Sequence, residues 1–247
     1  MDVSSAHEIL AGLERFGIRL GLDHLRDLSA ALGRPESSAP AVIVAGTNGK
    51  GSVAALLAAI AGAAGLETGL YTSPHLERVE ERIRVGGAEI PADALGRLLR
   101  EVLDTAADLG HASPTYFEAM TLAAFLHFSR RRVELAVLEV GMGGRLDATN
   151  LADARLAVVA AIALDHQEFL GSSLDAIARE KAGVLRPACP AVFSPQPPEA
   201  AAALLEEAAK RGARAVEVPG EVVGMEVRFH GLDGLQISLA TRRARYE

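Results

Sequence analysis

An unbroken apolar run, Ala41-Val-Ile-Val-Ala45, ends at a glycine-bounded turn, Gly46 to Gly51, and is followed by an alanine- and leucine-rich stretch, Ser52 to Ala64. A run without polar alternation has both faces buried, as a strand inside a parallel sheet does. Parallel neighbours need crossover connections, so helices must cover such a sheet. The remaining chain obeys this demand. Apolar runs at 68–71, 135–140, 156–163, 191–193 and 214–217 alternate with helical patterns near 92–108, 115–130, 173–184 and 198–211. The expected fold is therefore α/β, a mostly parallel sheet flanked by helices.

Two short amphipathic helices, near 5–16 and 23–33, and a Pro/Ser-rich linker, Arg34 to Pro40, precede that core. We expect one domain over 1–247, made of this leader (1–40), the α/β core (41–218) and an antiparallel hairpin (219–247). The hairpin is read from the alternating stretches at 226–229 and 235–239, separated by Gly231 and Gly234. At 247 residues the chain can bury a large core without disulfides or structural metals. Its net charge of −7 argues against a nucleic-acid groove, which needs a basic excess. A single cysteine, Cys189, leaves no internal disulfide and suits a reducing compartment. Met1 to Ser5 lacks the pattern of a signal peptide, and the longest apolar run, 53–66, is too short to span a bilayer. These features give the expectation of a soluble, cytoplasmic protein with no membrane or nucleic-acid partner, and a monomer is expected.

The turn after the first strand has the chemistry of a phosphate-binding loop. Glycines let backbone N–H groups curl around oxygens, and a helix N-terminus adds a favourable dipole. Lys50 could neutralise a terminal phosphate, and the Ser52 hydroxyl could face phosphate or magnesium. The spacing departs from the usual motif: Val44 stands where the first glycine is expected, and Gly51 follows the lysine. The alternative is a glycine-rich turn carrying an exposed lysine.

Ligands in open parallel sheets bind at the carboxyl ends of strands. Polar groups collect there: Ser73 after the second strand, Glu139 at the end of the run at 135–140, and Asp165-His166 after the next. A hydroxyl, a carboxylate and an imidazole beside a triphosphate could hold Mg²⁺, which favours oxygen ligands and keeps several waters. From composition, His166 is equally a ligand or a structural hydrogen bonder, and Glu139 could instead be an ion-paired acid.

In the helix near 173–184, Ser172 and Asp175 form an N-terminal cap pattern. Leu174, Ile177, Ala178, Lys181 and Leu185 then share one stripe, which turns Lys181 toward the core and leaves Arg179 and Glu180 outward. Lys181 is either a snorkelling lysine paired with Asp165 or Glu139, or a neutral amine able to take up CO₂ as a carbamate.

Together these segments resemble the folylpolyglutamate/dihydrofolate synthase branch of the Mur-ligase superfamily. The likeness is carried by Gly46-Thr-Asn-Gly-Lys-Gly-Ser52, Tyr71-Thr-Ser-Pro-His-Leu76, Glu81-Arg-Ile83, Thr115-Tyr-Phe-Glu118, Leu138 to Asn150, Leu164-Asp-His166 and Arg179-Glu-Lys-Ala-Gly183. The glycine after Lys50, odd for an ordinary phosphate loop, fits this branch.

The resemblance implies an ATP-dependent acid–amino-acid ligase of folate biosynthesis. It would add L-glutamate to dihydropteroate, a folate, or both, through an acyl phosphate. ATP would meet Thr47, Asn48, Gly49, Lys50, Gly51 and Ser52. Ser73, Glu139, His166 and carbamylated Lys181 would hold Mg²⁺, with Lys50, Lys181 and His166 serving catalysis. Thr115, Tyr116, Phe117, Glu118, Leu146, Asp147 and Ala148 would contact the acceptor, although Tyr116 and Phe117 could equally be core aromatics. The stretch Gly17 to Leu20 is a weaker candidate, since Arg19 stands where the family often has an acid. Relatives carry a further, glutamate-binding C-terminal domain, expected to be absent here; a nucleotide-binding fragment without ligase activity and a peptidoglycan-type ligase are the rivals.

Overall fold

The computed structural model describes residues 5–13, 17, 19, 21–231, 235–242 and 244–246. Expectations placed on 1–4, 14–16, Ile18, Leu20, Gly234 and Glu247 lie outside those residues. In chain order the elements are α1 (Ala6–Leu13), α2 (Asp23–Ala31), β1 (Ala41–Ala45), α3 (Lys50–Ala63), β2 (Thr68–Tyr71), β3 (Ile83–Val85), β4 (Ala88–Glu89), α4 (Ala92–Asp108), α5 (Tyr116–Arg131) and β5 (Leu135–Glu139). They continue as β6 (Ala154–Val159), α6 (Gln167–Leu170), α7 (Leu174–Lys181), β7 (Pro190–Phe193), α8 (Pro198–Arg211), β8 (Arg214–Glu217), α9 (Val218–Glu221), β9 (Val222–Phe229), β10 (Leu235–Thr241) and β11 (Arg245–Tyr246).

The main sheet has eight strands in the order β4-β3-β2-β5-β1-β6-β7-β8, and β9–β11 form a separate antiparallel sheet. From β2 to β8 every pairing is parallel; only β3 and β4 run antiparallel, at one edge. β1 is central and fully buried, as its unbroken apolar run requires. Its side chains divide by parity. Ala41, Ile43 and Ala45 join the larger core, shared with α1, α4, α5, α7 and α8. Val42 and Val44 face the smaller core under α3. The chain moves out from β1 to β2, returns at β5 beside β1, then crosses to β6 on the other flank. The carboxyl ends of β5, β1 and β6 therefore meet at a topological switch point, where such sheets hold ligands.

Several boundaries differ from the sequence reading. β3 and β4 were not foreseen: Ile83-Arg-Val85 is too short to register as a run, and its pairing depends on the Gly86-Gly87 turn returning the chain. β6 spans 154–159, not 156–163. Beyond Val159 the apolar residues leave the sheet, and Ala160 N donates to Ala45 O at 2.8 Å. α7 ends at Lys181 and continues as a tighter 3₁₀ turn at 182–184. Its N-cap is Ser173, whose hydroxyl accepts from Ala176 N at 3.1 Å, and not Ser172. Leu185 therefore falls beyond the helix. The appended hairpin gains a third strand, β11. Among the described residues no helix is long and apolar enough to cross a membrane.

Close packing of α5 on β2 rests on Gly69, where an added Cβ would stand 2.7 Å from Phe128 Cδ1. Gly62, inside α3, has nothing within 4 Å of that position. Gly69→Ala is expected to destabilise the protein by roughly 1–3 kcal/mol through overpacking. Gly62→Ala is expected to stabilise it by about 0.5–1 kcal/mol, because Gly costs a helix interior backbone entropy. Thermal midpoints moving in opposite directions would bear this out; a shared direction would refute the packing assignment.

Candidate active site

The loop after β1 is fastened to the segment that follows β6. Thr47 N and Asn48 N both donate to Ala161 O, at 2.8 and 3.1 Å. Thr47 Oγ1 donates to Ala163 O and accepts from Ala163 N, each at 3.1 Å. Gly46 is required by contact as well as by its φ of 137°: a Cβ would lie 2.9 Å from Ala160 Cβ. The amides of Thr47 and Asn48, residues expected to meet ATP, are thus bonded to the segment that follows β6. Gly49, at φ 82°, then swings the chain into α3. The first-turn amides of Lys50, Gly51 and Ser52 have no partner within their helix, which makes that end a favourable place for an anion. Lys50 Nζ donates to Thr47 O at 3.1 Å, folding the ammonium over the loop.

The Glu139 carboxylate stands above this helix end. A Cβ on Gly51 would approach its Oε2 to 3.3 Å, so a larger residue after Lys50 would crowd the acid. Ser73 N donates to the same oxygen at 2.9 Å, bringing the ends of β2 and β5 together. Glu139 is 4% exposed. Burial raises its pKa, opposed by the Ser73 amide and by the positive charge of Lys50. His166 follows β6 in a left-handed conformation, φ 47°, with Nε2 3.6 Å from Asp165 Oδ2. It lines the same cavity as Lys50 and Ser73.

Lys181 is 3% exposed, and its Nζ donates to Gly46 O at 2.7 Å. The direct partner is a loop carbonyl, not the Asp165 or Glu139 carboxylate entertained from sequence. Desolvation, reinforced by the Lys50 charge, lowers its pKa from 10.5 to about 8, with Asp165 and Asp147 pulling weakly the other way. Among the described residues no group of three or more His, Cys, Asp and Glu could hold a metal. A cation here would depend on one carboxylate, one imidazole, a hydroxyl and non-protein oxygens. That set suits Mg²⁺, which retains water and shares phosphate oxygens.

From Lys50 and Ser73 a cavity of about 700 Å³ runs to Thr115, Tyr116, Phe117 and Glu118 at the start of α5. Thr115 caps that helix and Glu118 completes a capping box, its Oε2 accepting from Thr115 N at 2.7 Å. Phe117 is half-buried, with ring centroid 5.9 Å from that of Tyr71, and it lies under Gly141, where a Cβ would come 2.6 Å from its Cζ. Phe117 both packs on the core and lines the cavity, so its two sequence readings are compatible. Tyr116 does likewise, with the Arg82 guanidinium carbon 5.1 Å from its ring centre.

Asp147 lines the cavity with Leu146 and Ala148, and its carboxylate is also bonded within its own loop. It is buried, and its Oδ2 accepts from Gly141 N and Met142 N, both at 3.0 Å. Its Oδ1 accepts from Thr149 N at 2.9 Å and Thr149 Oγ1 at 2.6 Å. Four donors within its own loop make Asp147 the brace of residues 141–149, while Leu146 and Ala148 line the cavity beside it. Sequence reasoning did not single out Arg82 or the Arg145–Glu180 pair, which also line the cavity. Arg145 Nη2 lies 2.9 Å from Glu180 Oε1. Both arginines sat inside segments already quoted, but nothing in their spacing marks them as cavity residues.

Comparison with known proteins follows the same outline. The Mur ligase middle domain matches residues 44–218. Dihydrofolate synthase/folylpolyglutamate synthase of Escherichia coli (strain K12) is 42% identical over 204 residues, covering 83% of this chain and 47% of that protein. E. coli FolC in complex with DHPP and ADP has a TM-score of 0.87 at 38% identity, covering 99% of this chain and 57% of that one. A bifunctional folylpolyglutamate synthase/dihydrofolate synthase with Mn, AMPPNP and L-glutamate bound has a TM-score of 0.83 at 35% identity, covering 98% of this chain and 57% of that one. The chain spans about half the length of the curated relatives it matches. With its glycine-lined loop, its switch point and the match over 44–218, this chain belongs to the Mur ligase middle domain family, on the side of the folylpolyglutamate/dihydrofolate synthases.

Proposed function

We propose that this chain is the nucleotide- and acceptor-binding part of an ATP-dependent ligase that joins L-glutamate to dihydropteroate, a folate, or both. The observation that carries the reading is one continuous cavity with an anion-binding helix end and Lys50 at one extreme and paired aromatics with a buried carboxylate at the other. That polarity suits an acceptor with a flat heterocycle at one end and a reacting carboxylate at the other.

The acceptor carboxylate attacks the γ-phosphorus of ATP. A carboxylate O–P bond forms, the β,γ-bridging P–O bond breaks, and ADP leaves. The glutamate amine then attacks the acyl carbon, loses a proton, and expels inorganic phosphate as the amide forms. Lys50 and the first-turn amides of α3 spread positive charge over the transferring phosphoryl group, where preorganised donors act most strongly. Ser73, Glu139, His166 and a carbamate on Lys181 would hold Mg²⁺. The cation would supply Lewis-acid stabilisation of phosphate charge. Thr47 and Asn48 act indirectly, by tying the loop to the segment that follows β6. Asp147 holds the cavity wall that Leu146 and Ala148 present. Tyr116 and Phe117 flank the acceptor ring, and Glu118 meets its polar edge. The partners are small molecules, and the setting is the cytoplasm.

Two measurements test this reading on the full-length gene product. Lys50→Ala should lower glutamate-dependent ADP release by at least about a hundredfold, the usual scale for a lost transition-state donor; a rate within a few-fold of the unaltered protein would remove the loop from the reaction. The unaltered protein failing to release ADP with either acceptor would favour a binding fragment instead. The second concerns Lys181. Its lowered pKa means that the neutral, CO₂-reactive amine grows as pH rises through about 8 instead of 10.5. Trapped label from ¹³C-bicarbonate should therefore increase across that interval at Lys181. Lys181→Ala should lose activity that short carboxylates partly restore; neither label nor rescue would dismiss the carbamate.

A further inference from the structure

Beyond Val159 the chain leaves the main sheet, yet its buried backbone groups still need partners. Ala160 and Ile162 are each 3% exposed. β7 pairs with β6 as far as Phe193 and Val159, and Ser194 N donates to Val159 O at 3.0 Å. Past that point a side chain takes over from the strand. Gln196 Oε1 accepts from Ile162 N at 3.0 Å. Its Nε2 donates to Ala160 O at 3.0 Å, to Val159 O at 3.3 Å and to Ser194 Oγ at 3.1 Å. Among the described residues neither Ile162 N nor Ala160 O has another hydrogen-bonding partner. A carboxamide both donates and accepts, as a peptide group does, so it can continue a ladder that the backbone has left. The neighbouring residues explain how it is aimed. Gln196 stands between Pro195 and Pro197, and proline fixes its own φ and holds the residue before it extended.

We propose that Gln196 is a positioning residue for nucleotide binding, holding residues 160–163 in the course that lets them fix the loop before α3. Ala161 O takes the amides of Thr47 and Asn48, and Ala163 exchanges bonds with the Thr47 hydroxyl. Gln196 grips Ala160 and Ile162, the residues on either side of Ala161. The loop is thus held by a segment that is itself held from β7. The inference rests on the reading that this loop takes the phosphates of ATP, and it deepens that reading. Gln196 does not line the cavity, and neither do Val159, Ala160, Ile162 or Ser194, so its effect passes through the loop. Its hydrogen bonds reach neither α5 nor residues 141–149, so the acceptor end should not register its loss. The pairing also demands an amide. A carboxylate could keep Ile162 N but would set its second oxygen against two carbonyls.

The test uses the full-length gene product with Gln196→Glu, which keeps size and shape, and Gln196→Met, which keeps length without polar atoms. ADP affinity is measured by calorimetry, acceptor KM for dihydropteroate and tetrahydrofolate by ADP release, and amide hydrogen exchange residue by residue. Gln196→Glu should weaken ADP binding roughly tenfold, the scale of buried groups left unpaired, and Gln196→Met should weaken it as well. Acceptor KM should stay within about twofold, because the ordering of the loop falls to the nucleotide alone. Exchange at the Thr47 and Asn48 amides should quicken while the β1 amides keep their rates, which a general loss of stability would not produce. An unmoved ADP affinity in either variant overturns the proposal, as does an equal shift in acceptor KM or quickened exchange across β1. Gln196→Met decides by the same measurements if Gln196→Glu does not fold. If the unaltered protein binds no ADP, the functional reading itself fails and this inference falls with it. An unaltered protein that binds ADP beside indifferent variants rejects the inference alone.

Discussion

The site depends on the stitch between the loop after β1 and the end of β6. Thr47 and Asn48 surrender their amides to Ala161 O, and the Thr47 hydroxyl closes a two-way bond with Ala163. A glycine-rich loop left to itself would sample many conformations. Fixed to the segment that follows β6, it presents the start of α3 in one direction, and preorganisation of this sort spares a ligand the cost of ordering it. Gly46 permits the close approach to Ala160, so the residue that loosens the backbone also lets it be clamped.

Charge is arranged around that clamp in a water-poor setting. Glu139 lies over the first turn of α3, and Lys181 reaches the Gly46 carbonyl from the opposite side of the switch point. Neither is neutralised by a direct salt bridge. Each is pushed toward its uncharged form by burial, the acid upward and the amine downward. Opposing shifts on groups facing one anion-binding helix end are characteristic of a reactive centre more than of a structural ion pair. The outer contacts of α7 with α8 form a contrast. There Arg179 is bound by Asp175, Glu206 and Glu207, all partly in water, which orders the helices without creating reactivity.

Legibility in the sequence followed physical rules that act locally. β1 was readable because a parallel strand buried on both faces shows no alternation, and the polar residues at strand ends were readable because such sheets bind ligands along one edge. β3 and β4 were not, since three- and two-residue strands gain their identity from a partner across a turn. Asp147 illustrates the same limit within the site. Its place in the quoted segment put it on the cavity, which it lines, but nothing in that segment showed that its carboxylate accepts from four donors of its own loop, an arrangement that exists only once residues 141–149 have turned back on themselves.

What the sequence by itself determined is the class of fold, the glycine loop between strand and helix, and the set of polar residues delivered to the carboxyl edge. Periodicity and turn chemistry act over a few residues and leave their mark in order along the chain. Tertiary structure alone decided which of those groups share a wall. It sent Lys181 to a carbonyl 135 positions away, turned Thr47 and Asn48 to the segment after β6, and set His24 of α2 against Glu118 of α5. Contacts between distant segments are chosen by how helices and strands pack, and packing is a property of the whole core that no short window of sequence contains.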